Sequence, residues 1–344
     1  MEVASATFNP HTETVLNPEL PICDPHHHLW DRIHESYSLE DLIQDISSGH
    51  KIVSTVAIEC KSNYRNYGPQ EMIPVGETEF LEDVATQAKS NPSISPRVAA
   101  GIVGYADLTL GDAVVKVLEA HITASPKHFR GIRYSTNWDG SGTLRNDAPP
   151  GLLADKMFRR GFDCLRRYDL NFDACIYHPQ LTELANLAHA FPDVTIILNH
   201  IGAPLGVGPY AGKRNEVFRV WSDGIDMVAD CANIVVKLGG LGSRRSGFDW
   251  QERTVRPTSL ELAQAVAPYF EYCIEKFGVH RCMFESNFPV EKRANSYLGV
   301  WNAFKCMTQD YNAAERKALF YDTAVRVYRL TEFPAVSQAF ERAT

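Results

Sequence analysis

With 344 residues, 44% of them hydrophobic and 22% charged, the chain has an ordinary globular composition and enough length to bury one large core or two medium ones. A formal net charge of −8 and the lack of any long basic run argue against a nucleic-acid partner or an anionic membrane surface, both of which recruit clustered Lys and Arg. Residues 1–20 lack the positive start and apolar stretch of a signal peptide, and no run of about 18 apolar residues is present to cross a membrane. The eight cysteines are scattered, without a C-x-x-C pair, and predict reduced thiols of a cytoplasmic protein, not a disulfide framework or a zinc knuckle.

Short apolar, β-branched runs alternate with longer segments of helical periodicity. In chain order the predicted strands are ICDPHHH (22–28), IVSTVAIEC (52–60), RVAAGIV (97–103), FRGIRYS (129–135), LNFDACIYH (170–178), VTIILNH (194–200), NIVVKLGG (233–240) and RCMFESNF (281–288). Between them, ETEFLEDVATQAKS puts Phe80, Leu81, Val84, Ala85 and Ala88 on one stripe, and GDAVVKVLEAHI does the same with Val114, Val117 and Leu118. Capping boxes at Thr258 with Glu261 and at Asn312 with Glu315 predict the starts of two late helices. Strands that are apolar throughout suit a parallel sheet covered on both faces. Eight β–α units predict a single-domain (β/α)8 TIM barrel over residues 21–330, with an N-terminal extension (1–20) and a C-terminal tail (331–344).

Such barrels build their sites at the C-terminal strand ends, where side chains two apart share a face. The predicted ends supply His26 and His28 from strand 1, Glu59 from strand 2, Arg130 and Arg133 from strand 4, and His178 from strand 5. Strand 6 adds His200, strand 7 Lys237, and strand 8 Glu285 and Asn287; Trp30 follows strand 1. In the run of three histidines, His26 and His28 face the mouth with Asp24 deeper on the same face, and His27 points the other way. Four histidines converging from three strand ends suit zinc or another borderline divalent metal, although each His would also serve as a strand-end cap bonded to backbone. Arg133 and Lys237 either bind a substrate carboxylate or balance carboxylates such as Glu59. Tyr64, Tyr67, Phe248 and Trp250, in the long loops after strands 2 and 7, suggest an aromatic wall. GGLGSRR (239–245) adds two positive charges beside strand 7 and reads as a mobile, solvated loop. GVGPYA (206–211) sits too far from a helix to bind a dinucleotide, and no G-x-S-x-G elbow supports a covalent serine mechanism.

The blocks DPHHHLWD, RGIR, FDACIYHPQL, TIILNHIGAPLG, VVKLGG and RCMFESNFPVEK resemble the successive strand ends of the amidohydrolase-related family, in the branch of sugar lactonases and pyrone-dicarboxylate lactonases. The resemblance implies that His26, His28, His178 and His200 hold a divalent metal (Zn or Mn), and that Arg130 or Arg133 contacts the substrate's anionic or carbonyl group. At strand 8 the family pattern is similar to GSDWP, whose Asp is a metal ligand and general base; here Asn287 takes that place. A carboxamide accepts no proton near neutral pH, so the base passes either to Glu285, two residues earlier, or to a histidine. Alternatively Glu285 is half of a structural ion pair with Lys237 or an Arg.

The expected reaction is hydrolysis of a small anionic or polyhydroxylated lactone, with or without metal. A metal-dependent decarboxylase of an aromatic acid and a non-catalytic ligand-binding barrel are the alternatives. The expected partner is a small molecule, and a homo-oligomer is compatible with the sequence.

Overall fold

The computed structural model describes residues 13–32 and 35–330; the predicted tail (331–344) and the first twelve residues of the predicted extension lie outside the described residues. Eight strands form one sheet in sequential order: β1 (Ile22–His27), β2 (Ile52–Ile58), β3 (Arg97–Gly104), β4 (Phe129–Ser135), β5 (Asn171–Cys175), β6 (Ile196–Leu198), β7 (Ile234–Leu238) and β8 (Cys282–Phe284). Every neighbouring pair is parallel. The circle closes through residues just past β8: His27 bridges Phe288, Asn287 N donates to His26 O at 2.9 Å, and His28 N donates to Phe288 O at 2.8 Å. This is the predicted (β/α)8 barrel, closed at its C-terminal rim by the segments that carry the site.

The strand sequences show why the layers form. In β7, Ile234, Val236 and Leu238 pack outward among the helices, whereas Val235 joins an inner cluster with Cys23, Ile58, Ala100, Ile197 and Met283. Tyr328 and Leu330, beyond α10 (Thr323–Val327), close that inner cluster. By the two-residue repeat, Lys237 faces inward above Val235, and Glu285 above Met283. The barrel interior is therefore apolar below and charged above.

The outer helices start where local chemistry places them. Thr258 caps α7 (Ser259–Phe277) and Asn312 caps α9 (Ala313–Lys317), each through a complete capping box. The stripe Leu81, Val84, Ala85 and Ala88 is the buried face of α2 (Val75–Ser90). A short antiparallel pair, Trp30–Arg32 with Glu35–Tyr37, was not anticipated. Most strands stop before the predicted ends, so Glu59, His178, His200, Glu285 and Asn287 sit on turns just beyond the ladder. All eight cysteines are free thiols. Among the described residues no helix is long and apolar enough to cross a membrane.

Candidate active site

The centre of the barrel mouth is Glu285, fully buried one residue past β8. Two glycines after β7 make room for it: a Cβ on Gly239 would lie 2.4 Å from Glu285 Cγ, and one on Gly240 2.3 Å from His200 Nδ1. Glu285 Oε1 receives two donors from His200, the ring Nδ1 at 2.6 Å and the backbone N at 3.2 Å. The double contact depends on a left-handed backbone at His200 (φ 54°), an uncommon conformation for a residue with a Cβ. Glu285 Oε2 lies 2.6 Å from His26 Nδ1, yet that approach lacks hydrogen-bond alignment, and the oxygen has no hydrogen-bond partner. Burial pushes the Glu285 carboxyl up to about 7, against the opposing pull of Lys237 and the His200 N–H. Burial likewise holds the imidazoles of His26, His28 and His200 well below their ordinary range, with neighbouring positive charges adding to it.

Around this centre the contacts are specific. His28 Nδ1 donates to Ile58 O at 2.8 Å, its Nε2 meets His26 Nε2 at 3.3 Å, and Trp30 stacks on its ring. His27 points away and bonds Thr55 at 2.9 Å, as expected. Asp24 accepts from Ser286 N at 3.0 Å and Tyr297 Oη at 3.0 Å, tying β1 to β8 and its following helix. Burial raises the Asp24 carboxyl to about 6 despite these donors. Arg133 Nε donates to Glu59 Oε1 at 2.8 Å and its Nη2 to Glu59 O, while Nη1 stands 3.4 Å from His26 Nε2.

Glu59 has a neighbour the sequence did not single out. Glu77, on α2, accepts from Cys60 N at 2.8 Å and Ser62 N at 3.2 Å. Burial, and then the charge of Glu59, push its carboxyl up to about 8. A carboxyl raised above its unfolded value favours the folded state fully below that value, about 4.3, and the contribution is lost as pH rises through about 8. Glu77→Gln, which carries no titrating proton, should therefore show a shallower decline of melting temperature over that interval than the wild type. Parallel melting curves across the pH series would disprove it.

Comparison with known proteins supplies the family. The amidohydrolase model matches residues 23–330. The chain belongs to the amidohydrolase family. It is a hydrolase of that family, as the resemblance implied. It is 34% identical over 336 residues to the uncharacterized protein y4mH of Sinorhizobium fredii, covering 91% of this chain and 99% of that one. It is 27% identical to the L-fucono-1,5-lactonase of Burkholderia ambifaria, over 78% of this chain and 87% of the relative. A solved amidohydrolase of Burkholderia multivorans with bound zinc superposes with a TM-score of 0.69 at 21% identity, over 90% of this chain and 99% of that one, a likeness of fold.

The amidohydrolase site gathers one metal-capable group among the described residues: His26, His200 and Glu285, whose ligand atoms lie within 4.8 Å of one another. Two imidazoles and a carboxylate are a suitable donor set for zinc, and the unpartnered Glu285 Oε2 beside His26 Nδ1 fits a shared cation. Of the expected quartet, His26 and His200 are in this group with Glu285; His28 lies outside it, with Nδ1 bonded to Ile58 O and Nε2 3.3 Å from His26 Nε2. His178 accepts from Leu205 N at 3.4 Å and packs edge-on to Tyr210. It lines a cavity of about 670 Å³ with Trp138, Asp139 and Tyr210, and burial lowers its imidazole to about 4.

Further expectations change. Arg130 is not at the site: its guanidinium donates to the carbonyls of Tyr328, Phe129 and Lys127, locking the C-terminal segment to the start of β4. Lys237 is fully buried and pairs with Asp173 at 2.7 Å, so it is neither a substrate contact nor the ion-pair partner of Glu285. Asn287, with φ 53°, donates from Nδ2 to Glu291 Oε1 at 3.2 Å. Glu291, a buried carboxylate also held by Gly242 N at 2.7 Å, was missed because it lies three residues beyond the predicted strand end. The predicted wall is divided: Phe248 and Trp250 stack at 4.4 Å, whereas Tyr67 is 65% exposed. The loop after β7 is packed against the chain after β6: Gly206 N donates to Arg245 O at 2.8 Å, and a Cβ on Gly206 would meet Ser246 O at 2.3 Å. The Arg245 charge acts on His200, Glu285 and Glu291, and its Nε is buried without a partner. The paired arginines at 244–245 were the available signal for it.

Proposed function

We propose that this amidohydrolase opens a small polyhydroxylated or anionic lactone by attack of water, in the cytoplasm. The observation that carries the reading is Glu285, a buried carboxylate with one oxygen held by His200 and the other unpartnered at the barrel mouth. A carboxyl poised near 7 is suited to take a proton from water at neutral pH. Glu285 Oε2 accepts that proton as the water oxygen bonds to the lactone carbonyl carbon. Arg133, the most open of the buried charged side chains at 8% exposure, holds the carbonyl oxygen as negative charge develops on it. The ring C–O bond then breaks, and the proton passes from Glu285 to the leaving alkoxide, giving the hydroxy acid. His200 keeps Glu285 aligned throughout by its paired N–H contacts. His26, His200 and Glu285 would hold a divalent ion, zinc or manganese, which supplies Lewis-acid polarisation of the carbonyl and a more acidic water. The likeness to L-fucono-1,5-lactonase supports sugar lactones as the first class to try.

The test is a panel of neutral and carboxylated five- and six-membered lactones, followed by acid release before and after chelation, with bound metal measured in the same samples. Turnover lost on chelation and restored by zinc or manganese is the expected result. Turnover that survives chelation would retain the lactonase and remove the ion. No turnover with any lactone, together with CO2 release from a hydroxybenzoate, would replace the reading with decarboxylation; tight lactone binding without turnover would replace it with a binding barrel.

A further inference from the structure

Loops after β4, β5 and β6 line the cavity of about 670 Å³ that contains His178, a volume in the range of small-molecule sites. Part of its wall is satisfied within itself. Asp139 accepts from Ser141 N at 3.0 Å through Oδ1 and from Tyr210 Oη at 2.7 Å through Oδ2. Gln180 Oε1 accepts from Trp138 N at 3.0 Å and Tyr177 N at 3.1 Å, and its Nε2 donates to Thr136 O at 2.8 Å. These contacts fasten the loop after β4 to those after β5 and β6, and so fix the shape of the cavity. Three other groups in the wall have no hydrogen-bond partner among the described residues: His178 Nε2, the Glu183 carboxylate and the Lys213 ammonium. Leu205 N donates to His178 Nδ1 at 3.4 Å, which requires a bare Nδ1, and burial keeps the imidazole neutral. The ring hydrogen therefore sits on Nε2, a donor on a side chain that is itself buried. Glu183 is a half-buried acceptor on α5 (Leu181–Ala190), and the Trp138 indole adds an aromatic surface.

These groups exclude three classes of occupant. An apolar molecule would displace water and leave the His178 N–H and the Glu183 carboxylate unsatisfied. An anion would face Asp139, Glu183 and Glu216 with Lys213 alone to offset them. A cation cannot accept from the His178 N–H, and it meets the charge of Lys213. A hydroxyl both accepts and donates, so a ring bearing several of them can serve the imidazole, the carboxylate and the ammonium at once. Its C–H surface is matched by the indole. We propose that this cavity binds a neutral polyhydroxylated ring of the sugar class through His178 Nε2, Glu183 and Lys213, with Trp138 as its platform. His178 is then a ligand-binding residue, not a metal ligand. The inference does not rest on the lactonase reading, because binding here needs no reaction at Glu285.

The test is a titration, followed by proton–nitrogen spectra of protein labelled with nitrogen-15 tryptophan. The probes are D-glucose, D-galactose, D-mannose and L-rhamnose, with D-glucuronate and D-galacturonate as charged counterparts of the first two. The Trp138 indole signal is assigned by its loss in Trp138→Phe, and Trp30, stacked on His28, reports the catalytic mouth separately. At least one neutral sugar is expected to move the Trp138 signal saturably, and each uronate to bind more weakly than its neutral parent. Glu183→Leu should weaken that binding about tenfold or more, as for a lost hydrogen bond to a charged group, and His178→Phe about three- to tenfold. A Trp138 signal that stays in place with all four sugars overturns the proposal, as does movement of Trp30 alone. Uronates that bind as tightly as the neutral sugars overturn it too, because they remove the charge argument. So does an affinity unchanged in Glu183→Leu, a half-buried helix position at which the substitution leaves no buried charge unpaired. None of these outcomes depends on turnover, so the cavity and the lactonase reading fail separately.

Discussion

Glu285→Gln is expected to lower kcat for lactone hydrolysis by about 10²–10⁴-fold, with KM little changed. The carboxamide keeps the shape of the carboxylate, and its oxygen can still accept from the two His200 donors that now hold Oε1 at 2.6 and 3.2 Å. What it loses is the ability to take a proton at the unpartnered position beside His26. The fold should tolerate the change. The ion pair of Lys237 is with Asp173, so neutralising Glu285 strands no partner and removes a carboxylate that burial already disfavours. The measurement is steady-state kinetics on the best lactone of the panel, with a melting curve to show that the variant is folded. Turnover within about threefold of the wild type would remove Glu285 as the base, since general-base catalysis contributes far more than that.

Arg133→Met is expected to be the most destabilising single change at the site, by about 3–5 kcal/mol, the usual cost of leaving one member of a buried ion pair alone. Glu59 is 2% exposed, and the guanidinium is its side chain's only hydrogen-bond partner among the described residues; Oε2 already lacks one. Adding Glu59→Gln should recover most of the lost stability, because the second substitution removes the stranded charge. Denaturant unfolding of the wild type, both single variants and the double variant measures this as a coupling between the two sites. Losses that simply add would mean that the pair is not the source of the effect. Activity should not return with stability in the double variant, because the guanidinium at the mouth is absent from it.

The alternation of apolar strands and amphipathic helices was legible because it is written in local periods: two residues along a strand, about 3.6 along a helix. The capping boxes at Thr258 and Asn312 were legible for the same reason, each being complete within four residues. The H-x-H spacing correctly set His26 and His28 on one side and His27 on the other, since neighbouring side chains in a strand face opposite ways. Glu285 was found by the same repeat, counting back from Asn287 to the deeper layer.

Partner choice was not written locally. Asp173 takes Lys237 from 64 residues away and Tyr328 from 155 away. Arg130, identical in local context to a substrate-binding arginine at a strand, is drawn off by the carbonyl of Tyr328, 198 residues along the chain. His178 lies on a turn past the end of β5, where the strand repeat no longer says which way a side chain points, and it lines a cavity with Trp138 and Tyr210. At His200 and Asn287 the backbone turns left-handed, which re-aims the side chain in a way that no two-residue pattern anticipates. The sequence by itself determined the barrel, the order of its parts and the rim at which the chemistry collects, because those follow from short-range periodicity and burial. Only the tertiary structure decided which charged groups meet at the barrel mouth and which neutralise each other beneath it. That choice is made by desolvation, which obliges each buried charge to find a partner and lets packing bring that partner from anywhere in the chain.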